Sequence, residues 1–109
     1  MITCVIRYEI DPYKLPAFEE YARNWGEVIP RCGADLIGYF APHEGTTTTA
    51  YGIYSIADLA AYEAYRARIR ADPLGRENFA LSARERFIRR EERQFFTLAS
   101  AGRSAVGSG

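Results

Sequence analysis

Residues 2–10 of the chain are Ile-Thr-Cys-Val-Ile-Arg-Tyr-Glu-Ile, and they alternate between two sets of side chains. The first set is strongly apolar and consists of Ile2, Cys4, Ile6, Tyr8 and Ile10. The second set is mixed and consists of Thr3, Val5, Arg7 and Glu9. Because successive side chains of a β-strand point to opposite faces, this alternation predicts a strand with one apolar face.

A helix is predicted directly after this strand. Asp11 offers a side-chain acceptor, and Pro12 has a fixed φ and no N–H, so both suit a helix start. Apolar side chains then recur at steps of three and four, as on one stripe of an α-helix: Leu15, Phe18, Ala22, Trp25, Ile29 and Cys32. Polar residues that include Asn24 fill the opposite side. We expect Pro30 and Gly33 to end the helix.

The remaining chain predicts three more strands. Residues 35–41 and 47–55 are rich in β-branched and aromatic residues and flank turn-forming residues 42–45, which predicts an antiparallel hairpin. Ser55 and Asp58 have the spacing of a capping box for a helix that Asp72 and Pro73 end. We expect a short helix or two within residues 74–90, and a last strand at residues 91–99.

The order β-α-β-β-α-(α)-β predicts an α+β fold of the ferredoxin-like type, with a four-stranded antiparallel sheet and helices on one face. We expect residues 1–99 to form a single domain and residues 100–109, which are mostly small, to form a flexible tail. The second face of the sheet would then be uncovered and would carry aromatic side chains. Such a face favours a partner, most simply a second copy of the chain.

The charge and hydropathy of the chain indicate which classes of partner to expect. The chain has fourteen Lys and Arg residues and fourteen Asp and Glu residues, so it has no net positive charge to attract a nucleic acid. A nucleic acid is therefore not expected as a partner. Arginines are concentrated between residues 66 and 90 among carboxylates, a pattern typical of a solvated helix surface. Apolar runs of only a few residues predict no membrane insertion. With no recognisable secretory signal and two separate cysteines, a cytoplasmic location is expected.

Few side chains offer catalytic chemistry. His43, the single histidine, lies in the predicted hairpin turn and is either a solvated turn residue or a general base or ligand contact. One histidine and two separate cysteines predict no metal site, no haem and no other cofactor. Tyr8, Trp25, Tyr39 and Tyr51, together with His43, are the candidates to bind a flat or apolar ligand. The alternative is that these aromatic residues serve only core and sheet packing.

Three segments of the chain resemble the NIPSNAP family of the dimeric α/β barrel superfamily. They are residues 8–18 at the first strand-to-helix junction, Leu-Ile-Gly-Tyr-Phe at residues 36–40, and Ala-Asp-Pro at residues 71–73 before a helix with aromatic residues. The resemblance extends over residues 1–99. It implies a homodimeric barrel with a pocket in each subunit between sheet and helices. NIPSNAP proteins have no generally assigned reaction, and related barrel families include cofactor-free monooxygenases and lactone isomerases.

Two hypotheses of function follow. In the first, the protein is a homodimer that binds a small apolar or aromatic metabolite, with cofactor-independent oxygenase or isomerase activity as the associated chemistry. In the second, the protein is a non-catalytic structural or protein-interaction module. A binding protein needs a cavity between sheet and helices, whereas a structural module fills that layer with side chains, so the cavity volume separates the two.

Overall fold

The computed structural model describes residues 1–102, so residues 103–109 of the predicted tail lie outside the described residues. The elements in chain order are β1 (Ile2–Ile10), a 3₁₀ turn (Pro12–Lys14), α1 (Leu15–Arg31), β2 (Asp35–Phe40), β3 (Thr49–Ile56), α2 (Leu59–Ala71), α3 (Pro73–Glu85) and β4 (Ile88–Phe96). Within residues 1–102, no helix has both the length and the apolar character needed to cross a membrane.

The four strands form one sheet in the order β2-β3-β1-β4. Every neighbouring pair is antiparallel, and β1 has a partner on each side. The predicted ferredoxin-like fold is therefore confirmed. The register of β2 against β3 shifts between Leu36 and Gly38, so β2 contains a β-bulge at Ile37.

The core lies between the sheet and the helices. The apolar set predicted for β1 is turned towards the helices, and Cys4, Ile6, Tyr8 and Ile10 are buried. Helix α1 covers this face with a stripe wider than the predicted one, because Tyr21 and Val28 join it: the buried residues of α1 are Phe18, Tyr21, Trp25, Val28 and Ile29.

A buried polar contact joins α1 to α3, and it corrects the prediction for Asn24. Asn24 Nδ2 donates to Asn78 Oδ1 at 2.9 Å, and Asn78 Nδ2 donates to the backbone oxygen of Tyr21 at 2.9 Å. Asn78 is fully buried. Asn24 is half-buried and contacts a neighbouring helix, because the buried amide of Asn78 needs partners for its donor and its acceptor.

The predicted capping box at Ser55 is wrong. Ser55 belongs to β3, is buried, and its hydroxyl lies 2.8 Å from the hydroxyl of Thr3 on the neighbouring strand. The cap of α2 is Asp58, whose Oδ1 accepts the backbone N–H of Ala61 at 2.8 Å. Ser55 has the right spacing for a box, but the β1–β3 pairing uses its hydroxyl instead.

The last strand begins three residues earlier than predicted and ends at Phe96 rather than residue 99. Helix α3 ends at Glu85, since Arg86 adopts the left-handed conformation with φ of 52° and its N–H bonds to the carbonyl of Ser82. The chain then turns at the fully buried Phe87 and enters β4. The charged residues at 89–93 are therefore strand residues, not the solvated surface of a helix.

Asp72 fixes the corner between α2 and α3. Its Oδ1 accepts the backbone N–H groups of Leu74 and Gly75 at 2.9 and 3.0 Å, which caps α3. Arg31, at the end of α1, donates through Nε to Asp72 Oδ2 at 2.7 Å and through Nη2 to Oδ1 at 2.9 Å. The Arg31 guanidinium, followed by the Gly75 N–H, holds the pKa of Asp72 well below its usual range.

The face of the sheet opposite the helices is uncovered in the single chain. We call it the open face. It carries large apolar side chains, and Ile37, Phe40, Tyr51 and Phe96 are 55%, 49%, 37% and 51% exposed. Val5 lies opposite Ile53 on the same face. Since a sheet face of this composition is poorly solvated, the open face is a candidate interaction surface.

We expect Asp72→Asn to destabilise the protein near neutral pH and to matter less in acid. The pKa of Asp72 is lower in the folded chain than in the unfolded chain, where it is about 3.9. The stabilisation is therefore complete above that value and is lost as the pH falls towards the folded-state pKa. Thermal unfolding followed by circular dichroism should show a gap between wild type and variant at about pH 7 that narrows at about pH 3.

Glu63→Gln is the matched control, because Glu63 is exposed on α2. Its unfolding temperature should follow that of the wild type at both pH values. An Asp72→Asn variant that keeps a constant gap across the pH range would contradict the role given to the carboxylate.

Candidate functional site

A cavity of about 270 Å³, partly open to solvent, lies between the sheet and the helices. Its walls come from all three helices and all four strands. Seven aromatic residues line it: Tyr8, Tyr21, Trp25, Tyr39, Tyr54, Tyr65 and Phe79. Such a wall suits a flat ligand, because aromatic rings bury a large apolar area and tyrosine adds a polar group at the ring's end.

Two tyrosines meet at the cavity wall. The hydroxyls of Tyr8 and Tyr39 lie 3.2 Å apart, within hydrogen-bond distance. Tyr39 is paired with Gly52 across β2 and β3. A Cβ atom at residue 52 would lie 2.7 Å from Tyr39 Cε1, so glycine is what lets the Tyr39 ring lie against the sheet and reach Tyr8.

The tyrosines of the wall are proton donors rather than bases. Burial raises the pKa of Tyr8, Tyr39, Tyr54 and Tyr65 above the usual value for a phenol. A phenolate in this layer would lose its hydration, so the hydroxyls stay protonated near neutral pH. One of the Tyr8 and Tyr39 hydroxyls donates to the other, so the hydroxyls whose protons remain free are the ones that can donate a hydrogen bond to an oxygen atom of a bound ligand.

Trp25 forms part of the wall through α1. Its ring packs edge-to-face on Tyr21 and Phe79, with centroids 5.7 and 5.2 Å away. The residue is 4% exposed, and its Nε1 has no hydrogen-bond partner among residues 1–102. A buried indole N–H without an acceptor costs free energy, which makes this atom a candidate contact for a ligand.

Three charged residues complete the wall: Arg66 from α2, and Glu91 and Arg93 from β4. The register of β4 places Glu91 opposite Tyr8 and Arg93 opposite Ile6, so both are on the helix side of the sheet. Arg93 Nη2 lies 3.6 Å from Glu91 Oε1. Glu91 supplies the single carboxylate among the described lining residues.

The structure brings together three of the five residues predicted to bind a ligand. Tyr8, Trp25 and Tyr39 line the cavity. Tyr51 lies opposite Arg7 on the open face, and His43 is exposed in the loop between β2 and β3. The cavity wall contains neither of these two residues.

Sequence reasoning missed the charged side chains of the cavity. The arginine-rich pattern predicts a solvated helix surface for Arg66, and the predicted start of β4 lies three residues too late along the chain. The sequence alone does not identify the inner face of β4, because Phe95 and Phe96 place an aromatic ring on each face. The register against β1 puts Glu91, Arg93 and Phe95 on the inner face.

The chemistry available at the cavity follows from this wall. It can hold a flat ligand between aromatic rings, donate hydrogen bonds from phenols and guanidinium groups, and exchange a proton at Glu91. Among residues 1–102, no three His, Cys, Asp or Glu side chains are grouped so as to hold a metal ion. The absence of metal and cofactor in the protein stays a prediction, which elemental analysis and visible absorbance can test.

Solved structures share this fold at low sequence identity. A NIPSNAP family protein of unknown function from Agrobacterium tumefaciens is 22% identical, with a TM-score of 0.74 over 88% of this chain and 86% of that chain. An uncharacterised NIPSNAP domain protein from Burkholderia xenovorans is 24% identical, with a TM-score of 0.72 over 95% of this chain and 100% of that one. A proposed antibiotic biosynthesis monooxygenase from Nitrosomonas europaea is 12% identical, with a TM-score of 0.70 over 92% of this chain and 100% of that chain.

The family follows from the sequence itself. No curated protein is significantly similar to the chain. The sequence profile of the NIPSNAP family, by contrast, matches residues 4–102, from the second residue after the start of β1 to beyond the end of β4. The chain therefore belongs to the NIPSNAP family.

Proposed function

We propose that this protein is a homodimer in which each subunit binds a small apolar or aromatic metabolite in the cavity between sheet and helices. The observation that carries the proposal is the cavity itself, about 270 Å³ in the middle of an aromatic layer. Protein interiors are close-packed, so a space of this size loses van der Waals contacts. In a purely structural module, no bound ligand would replace those contacts. The free, buried thiols of Cys4 and Cys32 favour a reducing compartment, which we take to be the cytoplasm.

The size of the cavity restricts the ligand. Pockets for drug-sized molecules have volumes of roughly 300–1,000 Å³, so a space of about 270 Å³ fits a smaller molecule. Trp25 and Phe79 stand at 70° to each other with centroids 5.2 Å apart. Rings in such an arrangement offer a planar ligand both a face and an edge to pack against.

For the chemistry, we propose a cofactor-independent isomerisation by proton transfer, because a carboxylate and protonated tyrosines line the same cavity. In a β,γ-unsaturated ketone, the Glu91 carboxylate would take a proton from the carbon between the carbonyl group and the double bond. A protonated tyrosine hydroxyl would donate a hydrogen bond to the dienolate oxygen, and Glu91 would return the proton to the γ carbon, which moves the double bond into conjugation. The Tyr8–Glu91 register pair supplies both groups.

The homodimer is proposed from the open face. Apolar side chains such as Val5 and Ile53 lie along its middle strands, and the face also carries both charge signs, with Arg7 and Arg90 beside Glu9 and Glu92. A two-fold axis brings the same surface of two chains together, so a face with balanced charges can pair with itself. A stable pair of this kind buries at least about 1,200 Å² in total.

Ligand binding is tested by filling the mouth of the cavity. Ala83 lines it from α3 and is exposed, so Ala83→Phe should fold normally and occupy ligand space. Against a panel of small aromatic ketones, acids and phenols, we expect at least one compound to change the Trp25 emission and raise the unfolding temperature of the wild type. Ala83→Phe should weaken that binding by about ten-fold or more.

Ala67→Phe is the control, since Ala67 is exposed on α2 and outside the cavity wall. It should bind the same compound as the wild type does. If no compound perturbs Trp25 or the unfolding temperature, the binding proposal fails and the structural or interaction module takes its place.

The isomerase proposal has its own readout. A ketone from the panel that binds in deuterium oxide should exchange hydrogen at the carbon next to its carbonyl group, as followed by NMR. Glu91→Gln should still bind the ketone but slow this exchange by about a hundred-fold or more, because the amide is not a base. Exchange at the wild-type rate in Glu91→Gln would remove Glu91 as the proton carrier.

The dimer is tested on the open face. Ile53→Glu places a charge at the middle of the face, where burial against a second copy would desolvate it. Sedimentation at micromolar concentration should show a dimer for the wild type and a folded monomer for Ile53→Glu. Leu59→Glu, at an exposed apolar residue of α2 that is 60% exposed, should remain dimeric. A wild-type monomer of 12.3 kDa would reject the proposal.

A further inference from the structure

We propose that the ligand of the cavity is a monoanion, an aromatic carboxylate whose rings lie among the tyrosines and whose charged oxygen atoms contact Arg66. The proposal rests on the binding function proposed above and adds the charge of the ligand and the residue that recognises it. It is carried by three independent features of the wall: an unbalanced charge, two donors without acceptors, and a guanidinium group held in position.

The first feature is the charge balance of the wall. Two guanidinium groups, Arg66 and Arg93, face the cavity together with a single carboxylate, Glu91. Arg93 and Glu91 lie 3.6 Å apart and neutralise each other. Within the described part of the chain, no carboxylate comes within 4.0 Å of the Arg66 guanidinium. One positive charge at the cavity is therefore left for a ligand to balance, and charges in partly buried sites favour a counter-ion.

The second feature is a pair of buried donors. Arg66 Nε and Trp25 Nε1 are the two buried side-chain polar atoms of residues 1–102 that have no hydrogen-bond partner, and both residues line the same cavity. A buried N–H that gives up water without gaining an acceptor is costly. Both unpaired atoms are N–H donors, so the partner that each lacks is an acceptor, and an anionic oxygen accepts more strongly than a neutral one.

The third feature is the position of Arg66 before any ligand binds. Its Nη1 donates to the Tyr62 hydroxyl at 2.9 Å, and its guanidinium carbon lies 5.8 Å from the centre of the Tyr62 ring. Tyr62 in turn packs edge-to-face on Phe95, with centroids 4.8 Å apart. These contacts restrict the long side chain, so little conformational entropy is lost when a carboxylate binds.

The same wall selects a carboxylate over a phosphate. A phosphate monoester carries nearly two negative charges at neutral pH, whereas the cavity has one unbalanced positive charge. Seven aromatic rings surround the cavity. A ligand ring that bears a planar carboxylate can contact them over most of the ligand surface. A single charged end and a flat apolar body therefore match the wall best.

The test compares acids with their neutral amides by isothermal titration calorimetry. The pairs are benzoate and benzamide, cinnamate and cinnamamide, and 2-naphthoate and 2-naphthamide, which differ in charge but hardly in shape. For the pair that fits best, the wild-type protein should bind the acid at least about ten-fold more tightly than the amide. The preference should shrink as salt is added, because screening weakens the contact with a partly exposed charge.

Variants of Arg66 test whether this residue causes the preference for the acid over the amide. Arg66→Gln should weaken the acid much more than the amide and so remove most of the preference for the acid. A circular dichroism spectrum like that of the wild type shows that the variant is folded. Arg66→Lys keeps the charge but loses the forked geometry, so it should retain part of the preference. Arg70→Gln is the matched control: Arg70 is exposed one turn later on α2 and outside the cavity wall, so it should behave as the wild type does.

The outcomes separate this proposal from the function on which it rests. If amides and acids bind equally well, the cavity binds aromatic molecules, but water satisfies the two donors and the monoanion proposal is wrong. If an acid is preferred equally by the wild type and by Arg66→Gln, the charge acts elsewhere and the role of Arg66 is overturned. If neither series binds, both the monoanion proposal and the proposed binding function are overturned for ligands of this size.

Discussion

The pairing of β1 on both of its edges sets the position of every other feature of this protein. Tyr8 lies between Ala50 on one side and Glu91 on the other, and Ile6 lies opposite Arg93. Because side chains alternate between the two faces, a slip of β4 by one residue would move Arg93 to the open face, and a slip of β1 would expose Tyr8. The cavity and the open face are thus two results of one register, and that register is held by the burial of a single alternating set of residues.

The parts of the fold that were predictable are those with a strong local period. The alternation along β1 and the three-and-four spacing around Trp25 each identify their element before any tertiary contact is known. The start of β4 was missed because five consecutive charged residues, 89–93, have no apolar period and resemble a helix surface. They form a strand since β1 offers a partner for their backbone groups, a contact that is remote in sequence.

The candidate site was predictable only where the face of an element was known. Tyr8 and Trp25 follow from β1 and α1. For β2, strict alternation would put Tyr39 on the face opposite Leu36, whereas the bulge at Ile37 turns both towards the helices. For β3, the choice between Tyr51 and Tyr54 depends on the register against β1, which pairs Tyr54 with Cys4. Neither a bulge nor a register can be deduced from composition or spacing.

The contact between Tyr39 and Gly52 has a consequence for how the NIPSNAP family diversifies. A side chain at position 52 and a ring at position 39 compete for one space, since the added Cβ would lie 2.7 Å from the ring. Relatives that carry alanine or a larger residue at this place must therefore keep a smaller residue, or a different ring orientation, on the neighbouring strand. Each such exchange would take a hydroxyl away from Tyr8 and reshape the cavity at the same time. These two strand positions are therefore a coupled pair, at which substitution reshapes the cavity while the strand pairing is kept.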